Sequence, residues 1–176
     1  SHGTDLGSGM KKHQVDNQAK FREKWQQELD AFHFPNAEHV FWARDRSRDR
    51  RCVLFIDHYV PHFDKDAGSR STFMYVQLML ELGYRVLFLG ANYFPHQPYT
   101  RTLQGMGVEV LVGEAMARGQ DRWLRDNAPY IDCIYLHRPH VAEQFISSLG
   151  RMNPRPRIIF FGHDLHYLRI HREYQL

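Results

Sequence analysis

Between Cys52 and Phe161 short apolar runs alternate with amphipathic stretches. The runs are Cys52–Asp57, Arg85–Leu89, Val108–Val112, Ile131–Leu136 and Arg157–Phe161. They are five or six residues long, rich in branched side chains, and apolar at odd and even positions alike. That is the pattern of strands buried on both faces. The stretches between them read as helices. One runs from about Ser69 to Leu82, with Phe73, Val76, Met79 and Leu80 on its inner face and Gly83 closing it. A short one follows Pro98, a third spans roughly Arg118–Asn127 ahead of Pro129, and a fourth runs from about Val141 to Met152. Strands alternating with helices predict a parallel sheet covered on both sides. Right-handed crossovers then give a Rossmann-like, doubly wound α/β fold in three layers, with strand order 3-2-1-4-5.

Ahead of this unit, Phe21, Trp25, Leu29 and Phe32 recur at helical spacing, which predicts an amphipathic helix over 16–33, ended by Phe34-Pro35-Asn36. That helix exposes apolar rings unless it packs on this domain or on another chain, so it is a candidate oligomer contact. Arg44 to Arg51 alternates in charge and reads as a solvated linker, with contact to an anionic membrane surface as the sharper alternative. Ser1 to Gly9 is small, Gly-rich and patternless, like an expression remnant with Met10 at the junction. The expected organisation is therefore 1–9 as remnant, 10–51 as helix and linker, 52–164 as the α/β domain, and 165–176 as the start of a further, truncated helical segment.

Composition removes several classes. The apolar content is that of a globular domain, and the formal charge of +3 is mild. With no Lys/Arg stripe interleaved with aromatics, nucleic acid is not an expected partner. No apolar run approaches the roughly 18 residues of a membrane span, and no signal peptide is seen. Cys52 and Cys133 both sit in apolar strand patterns and read as buried thiols of a reducing, cytoplasmic compartment.

In a doubly wound sheet, ligands sit outside the carboxyl ends of the strands where the winding reverses. The polar residues of this chain collect there. Asp57 and His58 follow the first strand, His137, Arg138 and His140 the fourth, and His163, Asp164 and His166 the fifth. Twelve histidines is a high number for this length, and they cluster near these ends. Gly68-Ser69 opens a helix at the end of the first loop. It is either a plain N-cap through Ser69 or a phosphate cradle of free N–H groups in the helix dipole. The loop from His58 to Gly68 lacks the dinucleotide glycine pattern, and no Walker loop is present. His137 and Arg138 either solvate a loop or reach over the crevice to a substrate hydroxyl or a developing charge. His163, Asp164 and His166 have zinc-like spacing but no surrounding ligand framework, so no metal is expected. Asp64 and Asp66 read as solvated loop acids. The loop Asn92 to Tyr99 is a turn packed by aromatics, or a wall in which Tyr93 stacks on a sugar ring.

An ordered series then stands out: Val53-Leu-Phe-Ile-Asp57, Asp66-Ala-Gly-Ser-Arg70, Leu80-Glu-Leu-Gly-Tyr-Arg-Val86, Leu103-Gln-Gly-Met-Gly-Val-Glu-Val110, His137-Arg-Pro139 and Phe161-Gly-His-Asp164. Over about residues 52–170 it resembles the N-terminal domain of family 4 (group 1) glycosyltransferases of the GT-B fold. Phe21-Arg-Glu-Lys-Trp25 through Leu29 is similar to the tail of a family 2 glycosyltransferase domain. Together they suggest a piece of a polysaccharide-assembling protein with several transferase modules.

The resemblance implies a retaining transferase that needs no metal or other cofactor. This half binds a glycan or lipid-linked glycan acceptor, and a C-terminal domain binds the nucleotide sugar. It implies that Gly68 and Ser69 lie near the donor diphosphate, with Arg70 as a phosphate or acceptor contact. His137 touches the donor sugar as the catalytic residue. His163 and Asp164 flank the acceptor, where Asp57, Arg138 and Tyr93 also face the crevice. Ala67-Gly68 stands where many members carry Gly-Gly, a departure at the diphosphate loop. The parent would work in the cytoplasm, at the inner face of the membrane. Two other classes compete. One is a non-catalytic module of the same fold that docks a transferase partner. The other is a phosphoacceptor receiver, disfavoured because Arg51-Cys52 and His163-Asp164 do not supply its paired acids and lysine.

Overall fold

A computed structural model describes residues 10–35, 38–43, 48–162 and 171–175. The chain divides into two compact units, Ser1–Arg50 and Arg51–Leu176. In the first, helix α1 (Met10–Phe32) begins six residues before the predicted start at 16. Lysines and glutamines carry the pattern onward, because they are good helix formers without an apolar signal. Leu29 and Phe32 are half-buried. Phe21 and Trp25 remain exposed, their rings paired at 6.5 Å. The Arg48 guanidinium folds back to donate to the Asp30 carbonyl at 2.7 Å.

The second unit is an α/β domain. Strands β1 (Cys52–Asp57), β2 (Arg85–Gly90), β3 (Glu109–Leu111), β4 (Cys133–His137) and β5 (Arg157–Phe161) form one five-stranded sheet in the order β3-β2-β1-β4-β5. Every pairing is parallel, with Val53 opposite both Val86 and Cys133, and Cys133 opposite Arg157. Helices α2 (Ala67–Glu81), α3 (Tyr99–Gly105), α4 (Glu114–Asn127) and α5 (Pro139–Gly150) supply the crossovers. The fold is the Rossmann-like, doubly wound α/β arrangement that the alternating pattern predicts.

Side chains of alternate parity fill two cores. Val53, Phe55, Val86, Phe88, Val110 and Tyr135 face α2 and α3, packing on Val76, Tyr99 and Leu103. Leu54, Ile56, Leu87, Leu89, Ile134 and Leu136 point the other way and are fully buried, as are Leu124 of α4 and Phe145 and Leu149 of α5. Burying one such side chain is worth roughly 1.5–3 kcal/mol, so these runs dictate the sheet. Both first-face helices end in the same device. Gly83 (φ +81) and Gly107 (φ +89) adopt a left-handed conformation that lets Tyr84 and Val108 donate back to the Met79 and Leu103 carbonyls. Cys52 is buried, whereas Cys133 is only half-buried, which corrects the expectation that both thiols are sequestered. No described helix is long and apolar enough to cross a membrane. Residues 171–174 form a helical turn, the described part of the last segment.

Candidate functional site

β1 and β4 lie side by side, α2 leaves β1 over one face, and α5 leaves β4 over the other. This is the reversal point of the winding, and the crevice opens at the carboxyl ends of these two strands. Asp57, the last residue of β1, is buried there at 2% exposure. Its carboxylate accepts from the Thr72 hydroxyl of α2 at 3.1 Å, from Arg138 Nε at 2.9 Å and from the His58 backbone N–H at 2.7 Å. One carboxylate thus ties together β1, α2 and the turn after β4.

His137 ends β4 and is fully buried among the rings of Phe55, Tyr135 and Phe161. Its Nδ1 lies 3.4 Å from Thr72 Oγ1 and 3.9 Å from the Asp57 carboxylate. Thr72 has one hydroxyl proton, and it goes to the carboxylate, which only accepts. In the contact with Thr72, Nδ1 is therefore the donor.

Arg138 follows with φ +63 and ψ 136, a conformation that L side chains rarely adopt. Such strain costs about 1–3 kcal/mol and persists where surroundings impose it. Here Asp57 holds the guanidinium from one side, and the Tyr59 ring lies 5.7 Å below it. Burial acts against the charge, but Asp57 outweighs it and raises the Arg138 pKa. The described bonds use only Nε, so both Nη groups remain to meet an anion. Arg138 is also the N-cap of α5, whose first turn carries Pro139, no acidic residue and no side-chain cap.

The first turn of α2 differs. Asp66 is its N-cap and accepts from both the Ser69 N–H and the Ser69 hydroxyl at 2.7 Å. Burial opposes the charge of Asp66. The two Ser69 bonds, Arg138 and the Tyr59 hydroxyl outweigh it and hold the carboxyl below its ordinary value. Two expectations are corrected here. Ser69 is the third helical residue and not the cap, and Asp66 is a capping group and not a solvated acid. An Asp three residues ahead of a Ser, with Ala-Gly between, was the available signal.

A histidine and tyrosine cluster borders the crevice on the β2 side. Tyr99 donates to Asp64 at 2.6 Å, which lowers the Asp64 pKa and raises that of Tyr99. His62 stacks on Tyr99 with ring centres 4.4 Å apart and meets His96 edge-on at 4.7 Å. Burial, and then His62, lower the His96 pKa. Nearer β4, His58 Nδ1 and His140 Nε2 are 3.1 Å apart.

Of the predicted site residues, Asp57, His137 and Arg138 converge, with Gly68 and buried Ser69 in the adjoining turn. Arg70 is exposed on the same helix. Tyr93 is not part of this group. Its backbone is left-handed (φ +55), its hydroxyl donates to Gln120 of α4, and burial pushes its pKa up to about 12. His163 and Asp164 lie outside the described residues. Sequence reading missed Thr72, because a mid-helix Thr carries no signal until topology sets it beside Asp57. Among the described residues no group of His, Cys, Asp or Glu is arranged to hold a metal ion. In comparisons with known proteins, no family model, no curated protein and no solved structure matches this chain.

Proposed function

We propose that the chain is the acceptor-side domain of a retaining glycosyltransferase, moving a sugar from a nucleotide-sugar donor to a cell-surface glycan acceptor. The observation that carries this reading is the Asp57–Thr72–His137–Arg138 network at the reversal point of the sheet. In this reading the end of β4 lies beside the donor sugar and its oxocarbenium-like transition state, and the buried His137 ring acts there through Thr72 and Asp57. Arg138 offers its Nη groups, and α5 its uncapped N-terminus, to the charge that grows on the departing diphosphate. Asp57 keeps both groups in place. A second domain of the parent protein supplies the grip on the nucleotide, so this half alone does not turn over. The parent works in the cytoplasm, at the inner face of the membrane.

The test is transfer by the parent protein with a panel of nucleotide sugars. Turnover is expected with at least one, and His137→Ala is expected to lower kcat by 100-fold or more per folded molecule, with a loss of thermal stability from the cavity it leaves. No transfer or donor hydrolysis with any donor, or an unaffected His137→Ala variant, overturns the reading. One observation favours the alternative of a non-catalytic docking module: Asp66 already occupies donors of the α2 first turn. A parent lacking residues 52–170 that stays fully active would establish that alternative.

A further inference from the structure

At the opposite end of the strands a cleft of about 400 Å³ opens beneath the C-terminal half of α2. Its origin is topological. α2 and α3 cover the first face over β1, β2 and β3, and none of the helices α2 to α5 covers that face over β4 and β5. The floor is apolar: Val53, Met79, Cys133 and Ile159. Arg51, just before β1, and Arg157, the first residue of β5, stand at its rim. Neither guanidinium is in an ion pair among the described residues. Asp132 also reaches the rim, but its carboxylate accepts the Cys52 N–H at 2.7 Å, which anchors the strand start.

From this combination we infer that the cleft binds a small anionic amphiphile, its apolar chain on the floor and its carboxylate or phosphate between Arg51 and Arg157. The volume falls in the range of small-molecule sites, roughly 300–1,000 Å³. Two cations without carboxylate partners beside an apolar floor favour a negative head, since charge-assisted bonds to Arg are the strong ones. The opposite sign is disfavoured, because a cationic head would face two guanidinium groups with one backbone-bound acid to offset them. The site is at the amino edge of the sheet and does not depend on the function proposed for the carboxyl edge.

Cys133 on the floor gives a direct readout, and Cys52, buried on the other face, is an internal control. The experiment uses decanoate and decyl phosphate below their micelle concentrations, with decanol and decyltrimethylammonium as controls. Calorimetry follows binding, and mass spectrometry follows alkylation of Cys133. Saturable binding of both anions is expected. The neutral and cationic analogues should bind at least tenfold more weakly, and Cys133 alkylation should slow at least fivefold in step with occupancy. The Arg51→Glu/Arg157→Glu double variant, altered only at exposed positions, should fold normally and bind at least tenfold more weakly. Binding that is absent, indifferent to head-group charge, or unchanged in the double variant overturns the inference. So does Cys133 protection that rises with protein concentration alone, which would assign the cleft to contact between copies of the chain. Binding of one anion but not the other would likewise overturn it as a general anion site.

Discussion

Asp57 divides two carboxylate oxygens among donors from three parts of the chain, Thr72, His58 and Arg138. Removing it leaves a quarter-exposed guanidinium and a buried hydroxyl without their acceptor. Breaking a buried pair costs about 3–5 kcal/mol, less where one partner reaches water. Asp57→Ala is therefore expected to lose about 2–4 kcal/mol by urea titration. Arg138 behaves differently because its backbone is strained at φ +63. Arg138→Ala loses the ion pair and keeps the strain, whereas Arg138→Gly loses the pair and relieves it. The glycine variant should be the more stable of the two by about 1 kcal/mol, the lower end of what such a conformation costs. Equal stabilities would mean that the backbone is not held in the left-handed region in solution. The same pair explains how Arg138 presents its Nη groups: the carboxylate fixes Nε, and the turn geometry is accepted in exchange.

At the scale of elements, α2 shows how a helix start can be self-sufficient. Asp66 satisfies the Ser69 N–H, so Asp66→Ala should cost about 1 kcal/mol, the usual worth of an N-cap. Asp66→Asn keeps an oxygen acceptor and loses the charge, so it isolates the electrostatic part. The folded carboxyl lies below its ordinary value. Its contribution is then full above the unfolded value, about 3.9, and disappears as pH falls through the lower folded value. The stability gap between the native chain and Asp66→Asn should be constant from pH 8 to 5 and close on acidification toward pH 2. A gap that widened in acid would mean that the carboxyl is raised. This cap marks the limit of what sequence conveyed about elements. Strands β1 and β5 were legible to the residue, because an apolar run changes character abruptly at its ends. Starts of helices were less so. α4 begins at Glu114, four residues before the apolar periodicity suggests, after Gly113. α5 begins at Pro139, a first-turn proline that the reading placed in the preceding loop. β4 starts two residues late because Ala128–Tyr130 forms a 3-10 turn that carries the chain to Ile131. The site was legible as a location. Strand order set Asp57 beside His137 and Arg138, but the Arg138–Asp57 bond joins residues 81 apart and the Thr72–His137 contact residues 65 apart. No local pattern encodes that pairing, nor the left-handed turn at Arg138, which arises from the closure of the fold.

Across the whole domain, burial is distributed unevenly between the strands. β1 and β2 are buried at every position, and β3 is mostly buried at its short edge. β5 is the exception. It pairs with β4 alone among the described residues, and Ile158, Ile159 and Phe160 are 42%, 44% and 53% exposed. Apolar residues open on both sides of an edge strand, beside a row of backbone donors and acceptors, make a template for pairing with another chain. Natural edges are usually blunted by charge, and here Arg157 stands only at the start of the strand. Association of this chain should therefore rise with concentration, seen as a growing sedimentation coefficient. Ile158→Lys/Phe160→Lys should suppress it. These side chains lie opposite in parity to Ile159, so the cleft is left intact. They are already half in water, so the double change should cost under about 1 kcal/mol of stability, as surface substitutions commonly do. Association unchanged in the double variant would move the contact elsewhere, with the exposed Phe21 and Trp25 of α1 the next apolar surface to alter. If the variant instead failed to fold, β5 would belong to the core and the exposed faces would be covered in solution.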